Sequence, residues 1–507
     1  MKKIKTVLAA SLALLMGAAV SSCDDALETK NFTDMSPVNF FKSESDFDAA
    51  VTGLYVPLTC NWGYGDGGTG GWYNALYCAD NSAYLAASMK STDIMRSYAT
   101  AGDEWEDFLV GPATGGALTS CYNVIRFVAR ATDIINQIER SNGATEAIRA
   151  KYLAETKALR AFYMFVLLDF YGPVNVKLDP STLSDNTPTP RPDEATYVGY
   201  IKQDLADALN TPELPEKYNG DNSNWGRMSK AVAQCVMLRL CMHQKDWNGA
   251  KDACEKIMGM GFSLLPNYED VFNISQNNEQ IFSIPTSTAY DNFYVTEILP
   301  SDFKKGYDIS GRSYIRGNDD SYFNGWQAYC MRWEFYDTFD DNDVRKKTIL
   351  CSYDTQGGEH KERKDMPGPL PIKFMDTQFN SAGIQKDHPV VRYAEVLLSY
   401  AEALNELQGP AAAEQYAKQV TDRAGVEIPA TAKASRDEFR KFLLAERGRE
   451  LFCEGQRRQD LIRHGAFISS ARARGKNAQE HQVVYPIPQF AITEADGVVT
   501  QNPGYTN

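Results

Sequence analysis

Helical spacing of apolar positions runs through most of the chain. In "KYLAETKALRAFYMFVLLDFYG", Tyr152, Thr156, Leu159, Tyr163, Val166 and Phe170 recur at steps of four and three. They form one continuous apolar stripe, stopped by Gly172-Pro173. The stretch before it, "CYNVIRFVARATDIINQIE", repeats the spacing at Val124, Phe127, Ala131, Ile134 and Ile138, which predicts an antiparallel helical hairpin. "MSKAVAQCVMLRLCMHQ" and "WNGAKDACEKIMGMG", split by Lys245-Asp246, predict a second. "RYAEVLLSYAEALNEL" and "AAAEQYAKQVTDRAG", split by Gln408-Gly409-Pro410, predict a third, with Ala401 and Ala413 small enough for close helix approach. Pairs of about 34 residues with small residues at the crossing resemble tetratricopeptide units, although no period is strict. From about residue 263 to 389 the 3.6 period lapses and Asp, Asn, Gly, Pro and aromatics take over, predicting loops, short strands and small helices laid over the helical scaffold.

One glycine-rich stretch interrupts the pattern early. "NWGYGDGGTGGWY", Asn61 to Tyr73, contains G-x-G-x-x-G twice. A dinucleotide cradle needs a strand leading in and a helix leading out. Here the preceding "SESDFDAAVTGLYVPL" reads as a helix, capped by Ser43 or Ser45, with Phe47, Val51, Leu54 and Tyr55 on its apolar face and Pro57 closing it. The one Gly-Lys pair in the chain, Gly475-Lys476, is followed by Asn477, so no Walker-type phosphate loop exists either. Trp62, Tyr64, Trp72 and Tyr73 around these glycines instead suggest a mobile aromatic loop.

The N-terminus sets the compartment. Lys2, Lys3 and Lys5 precede an apolar run from Val7 to Val20, short of the roughly 20 residues a membrane span needs, and Ser21-Ser22 precede Cys23. This resembles a bacterial lipoprotein signal, residues 1–22, cleaved before a lipidated Cys23, with Val20 where leucine is commoner. The acidic "DDALE" that follows resembles the signal for export to the outer face of the outer membrane. Multiple acyl chains would make such anchoring stable. The formal net charge is −14, and loss of the three signal lysines takes it to −17, a surface that repels nucleic acid and anionic lipid.

Chemistry that could catalyse is hard to find. Nine cysteines remain after Cys23, with no C-x-x-C, and several, such as Cys235 and Cys241, sit among apolar helical residues as small core hydrophobes. Five scattered histidines show no zinc spacing, and "DTFDDNDVRKK" lacks the alternation and glycine of a calcium loop. No metal or cofactor is expected. "AERGRELFCEGQRRQD" sets Glu446, Glu450 and Glu454 four apart on one helix face, among Arg447, Arg457 and Arg458. Carboxylates ringed by arginines stay ionised, which spoils a general acid, so a buried ion-pair network is expected rather than a glycosidase.

The pieces, in order, resemble the SusD/RagB family of nutrient-binding outer-membrane lipoproteins: "SESDFDAAVTGLY", "CADNSAY", "YLAETKALRAFYMFVLLDFYGPVNV", "GRMSKAVAQCVMLRL", "RWEFYDTFDDNDVRK", "PVVRYAEVLLSYAEALNEL", "LAERGRELFCEGQRRQDLIRHG" and "YPIPQFAITEADGVVTQNPGY". The resemblance implies a mainly α fold, a SusD-like α-α superhelix of about four tetratricopeptide-like hairpins with a large irregular ligand-binding region. It implies an N-terminal region 23–225 and a C-terminal region 226–507 within one integrated fold. It also implies a function without catalysis, the capture of glycans or oligosaccharides at the cell surface and their delivery to a SusC-like TonB-dependent transporter. Peptide or host-protein capture, and a structural lid without its own ligand affinity, are the alternatives.

Sugars present flat C–H faces edged by hydroxyls, so their sites combine aromatic platforms with polar rims. Two stretches have that makeup. One is the glycine-rich loop and its continuation, with Trp62, Tyr64, Asp66, Trp72, Tyr73, Asp80 and Asn81. The other, residues 290–336, has 13 aromatics in 47 positions, about 28% against 11% for the chain, and offers Tyr314, Arg316 and Trp326. Trp105, Trp225 and Trp247, in or beside helices, are expected to pack, as are Trp333, Phe335 and Tyr336.

Overall fold

The computed structural model describes residues 40–58, 76–77, 83–98, 102–286, 294–317, 325, 327–379 and 385–506. Helix α1 (Glu44–Thr52) begins at Ser43, whose hydroxyl accepts from the Asp46 amide while Asp46 accepts from the Ser43 amide, a capping box. Its chain continues as a 3-10 turn through Leu58 with Pro57 inside it, so the proline tightens the end rather than stopping it. α2 (Ala83–Lys90) is buried on every side.

The predicted hairpins form. α3 (Ile125–Arg140) packs against α4 (Glu146–Tyr171), which Thr145 caps at one end and Gly172, at φ +69°, terminates at the other. α5 (Glu194–Asn210) lies along α4. α6 (Lys230–His243) and α7 (Trp247–Met258) turn on Lys245 and the N-cap Asp246. α8 (Tyr393–Gln408) and α9 (Pro410–Ala424) turn on Gly409, whose φ of +94° favours glycine, with Pro410 at the first helical position. Ala401 and Ala413 are fully buried. α7 also packs on α8, and α8 on α10 (Arg436–Leu451), which in turn meets the short α11 (Arg457–Arg463). The architecture is mainly α, as the periodicity predicts.

The irregular region holds short strands. β2 (Phe303–Tyr307), β3 (Ser313–Arg316), β4 (Ser352–Thr355), β5 (His360–Lys361) and β6 (Gln378–Phe379) make one sheet in the order β6-β3-β2-β4-β5, parallel only between β6 and β3. β1 (Gln280–Ile284) pairs antiparallel with β7 (His388–Arg392), both wholly buried. One hydrophobic core runs through the helices from Phe47 to Val499, drawing on residues on both sides of position 225. A second lies under the irregular region. α2 joins them, with Tyr84 and Ala86 in the first and Leu85 and Met89 in the second.

Candidate functional site

His388, at the start of β7, has no exposed surface, and three rings surround it. Tyr294 stacks on it at 5.5 Å between centroids, Tyr77 lies at 5.4 Å and Phe374 at 5.3 Å. Burial lowers the histidine to about 4, so it packs as a neutral ring. The preceding residue, Asp387, accepts hydrogen bonds from the Thr286 amide, the Trp225 indole and the Ser275 hydroxyl. Nearby, the Leu76 amide donates to the Pro57 carbonyl, joining the two flanks of residues 59–75.

These contacts bring together parts of the chain that are far apart in sequence. Leu76 and Tyr77 follow the glycine-rich loop, Tyr294 opens the aromatic-dense stretch, and Asp387-His388 precede α8. The Ala328 amide donates to the Glu297 carbonyl, and Gly325 packs so tightly on Leu299 and Pro300 that a Cβ there would lie 2.3 Å from the Leu299 oxygen. The flanks of both aromatic stretches therefore meet around the buried His388.

A cleft of about 850 Å³ opens beside them, walled by Val56, Leu58, Trp225, Phe282 and Pro285. Its polar floor is fixed. Arg227 donates to Glu155 through Nε at 2.7 Å and Nη2 at 3.1 Å, and also pairs with Asp48. The Tyr55 hydroxyl donates to Glu155 at 2.7 Å and accepts from the Met228 amide at 2.8 Å. Burial, with Glu155 beside it, holds that phenol well above its ordinary range, so it stays a neutral donor. Among the described residues, each of Asp48, Glu155 and Arg227 has a charged partner here, which suits binding and orientation.

Of the predicted site residues, Trp62, Tyr64, Asp66, Trp72, Tyr73, Asp80, Asn81 and Trp326 lie outside the described residues, as does Cys23 with the signal segment. Tyr314 and Arg316 are both on β3. Tyr314 is only 4% exposed, with the Arg312 guanidinium 5.2 Å from its ring centre, so its face is not presented as an open platform. Arg316 donates to the Ser301 carbonyl at 3.2 Å. The sequence does not announce the cleft floor, since Asp48 comes from α1, Glu155 from α4 and Arg227 from the turn before α6, without a shared motif. Trp105 and Trp225 are buried, and Trp333 donates its indole N–H to the Met366 carbonyl at 3.1 Å, which agrees with packing.

The glutamates of "AERGRELFCEGQRRQD" are sealed inside. Arg345 pairs with Asp343, Glu446 and Glu450, and Arg392 with Glu279, Glu450 and Glu454. Arg423 adds pairs to Glu279 and Glu450. The expected single helix face needs one correction, because α10 ends at Leu451 and Cys453 takes φ +63°, which swings Glu454 off the helix toward Lys373. Burial alone would raise the Glu450 carboxyl, but Arg423, Arg392 and Arg345 hold it well below its usual range. Burial lowers Lys373 to about 8 in spite of Glu454.

Among known proteins, the model of the SusD family matches residues 344–480, which include Arg345, Arg392, Arg423, Glu446, Glu450 and Glu454 of this network. A SusD-like protein of Formosa agariphila is 26% identical, over 92% of this chain and 93% of its own. Over residues 344–480 the chain carries the SusD family pattern, and along nearly its whole length it is similar to SusD-like proteins. The starch-binding protein SusD of Bacteroides thetaiotaomicron is 22% identical over 73% of this chain and 75% of its own. The fold is shared with solved SusD-like structures. Surface glycan-binding protein A of Bacteroides thetaiotaomicron, in complex with laminarihexaose, superposes with a TM-score of 0.69 at 22% identity, covering 91% of this chain and 99% of that one. A laminarin-binding SusD-like protein gives 0.71 at 20% identity, over 92% and 100%.

Proposed function

We propose that this SusD-like protein is a surface-exposed outer-membrane lipoprotein, anchored through Cys23 after loss of residues 1–22, that binds oligosaccharides without altering them. It delivers them to a SusC-like TonB-dependent transporter, its regions 23–225 and 226–507 acting as one folded body. The observation that carries this reading is the meeting of the flanks of both aromatic stretches around His388, beside a cleft of about 850 Å³ with a fixed polar floor. The ligand class draws support from the relatives, named for starch and laminarin, and from the neighbouring fold solved with laminarihexaose.

In this reading Trp62, Tyr64, Trp72, Tyr73 and Trp326 stack on sugar faces while Asp66, Asp80, Asn81 and Arg316 bond hydroxyls at the rim. Tyr314 supports the strand that carries Arg316. Each platform contributes on the order of 1 kcal/mol, against ordering costs, so affinities fall in the millimolar to micromolar range. The test is calorimetry or affinity electrophoresis of the chain from Asp24 onward with laminarin, starch and other glycans. Binding to at least one is expected, weakened about tenfold or more in the Trp62→Ala/Trp72→Ala double variant. Undiminished binding in that variant would remove the glycine-rich loop from the site. Flat titrations against every glycan, with retained co-purification of a transporter, would replace the reading with a structural lid.

A further inference from the structure

A second cavity, of about 320 Å³, lies among the helices α4, α6, α8, α10 and α11, and shares no lining residue with the cleft. Its walls carry Arg239, Glu395, Ser399, Arg447, Gln456 and Arg463. The carboxylates around it are already committed. Glu395 is held by Arg239, Asp169 by Arg458 and Gln459, and Glu402 and Asp460 by Arg463, with Arg447 also on Asp460.

The donors are not used up. Arg239 Nη1 is buried without a partner among the described residues. Arg447 donates through Nε and Nη1, and Arg463 through Nε and Nη2, so each leaves one terminal nitrogen without an acceptor among the described residues. Gln456 is 3% exposed and its side-chain amide makes no hydrogen bond among the described residues. The orphaned oxygen of Asp460 belongs to a residue that does not line the space. At the rim, Lys245 is exposed and forms no ion pair among the described residues.

A buried donor without an acceptor costs free energy, and guanidinium forks match a carboxylate in two-pronged geometry. A cavity of this size is at the small end of those that hold organic ligands. We propose that it binds a small carboxylate, entering past Lys245, with its oxygens on the free nitrogens of Arg447 and Arg463 and on the Gln456 amide.

The test is calorimetry of the chain from Asp24 onward with sodium acetate and sodium glucuronate at constant ionic strength, with sodium chloride as reference. A saturable carboxylate response is expected, absent in chloride, weakened about tenfold by Gln456→Leu and a few-fold by Lys245→Gln. Trp62→Ala/Trp72→Ala should keep it, which separates this cavity from the cleft. Should Gln456→Leu fail to fold, Lys245→Gln decides. Equal responses to acetate, glucuronate and chloride, meaning a water-filled cavity, overturn the proposal, as does an unchanged carboxylate affinity in the folded variants.

Discussion

Two clusters of arginine and carboxylate are built from the same chemistry and serve different ends. Around Glu450, the side chains of Arg345, Arg392, Glu279, Glu446 and Glu450 are all 0% exposed. At the cleft floor, Glu155 is equally hidden, but Arg227 is 13% and Asp48 46% exposed. The sealed cluster ties β7, α9 and α10 together, where a lost partner leaves a charge that water cannot reach. The open one borders a cleft of about 850 Å³, where water can replace a lost partner. Access of water, more than residue type, separates a structural charge cluster from one available to a ligand.

The largest effect should come from opening the sealed cluster. Arg392→Met strips a partner from Glu279, Glu450 and Glu454 at once and should cost about 3–5 kcal/mol, read by urea unfolding. A loss below about 1 kcal/mol would mean that Arg345, Arg423 and Lys373 can carry the network alone. Acid should attack the same cluster. The folded carboxyls of Glu446, Glu450 and Glu454 are held below their unfolded values. Their contribution is thus present above the unfolded value of about 4.3 and lost as pH falls through the lower folded values.

His388 acts in a separate window. Its folded value of about 4 lies below the ordinary 6.5, so the unfolded chain binds the extra proton. Stability should fall as pH drops from about 6.5 to 4, by on the order of 3 kcal/mol in total. His388→Phe keeps the packing against Tyr77, Tyr294 and Phe374 and should flatten that slope while leaving the acid loss below pH 4 intact. An unchanged slope between pH 4 and 6.5 would assign it to another group.

The helices were legible because their signals are local. Stripes such as Val124 to Ile138, the Ser43 cap and the Gly409-Pro410 turn act within a few residues, so the sequence carries them openly. Pairings across the chain were not legible. β1 meets β7 more than 100 residues later, and Asp387 reaches Trp225 over 162 positions, with no short-range pattern to announce either. The "AERGRELFCEGQRRQD" stretch was read correctly as structural because its arginine density fixes the carboxylates. The departure of Glu454 from the helix depends on one backbone angle at Cys453, which composition cannot show.

Asp48→Ala tests the open cluster. It removes the exposed partner of Arg227 while Glu155 remains, and should cost about 1 kcal/mol or less. A cost near that of Arg392→Met would erase the distinction between the two clusters.

The smallest effect should lie on α9, which carries both extremes one turn apart. Arg423, 4% exposed, joins the sealed cluster, whereas Lys418 and Asp422 pair on the surface at 56% and 57% exposure. Lysine before the acid at this spacing is the weaker orientation on a helix. Lys418→Ala should therefore change stability by less than about 0.5 kcal/mol, and salt should remove what remains. A larger cost measured by urea unfolding would show that the helix needs its surface charges, and burial would lose its standing as the quantity that ranks these substitutions.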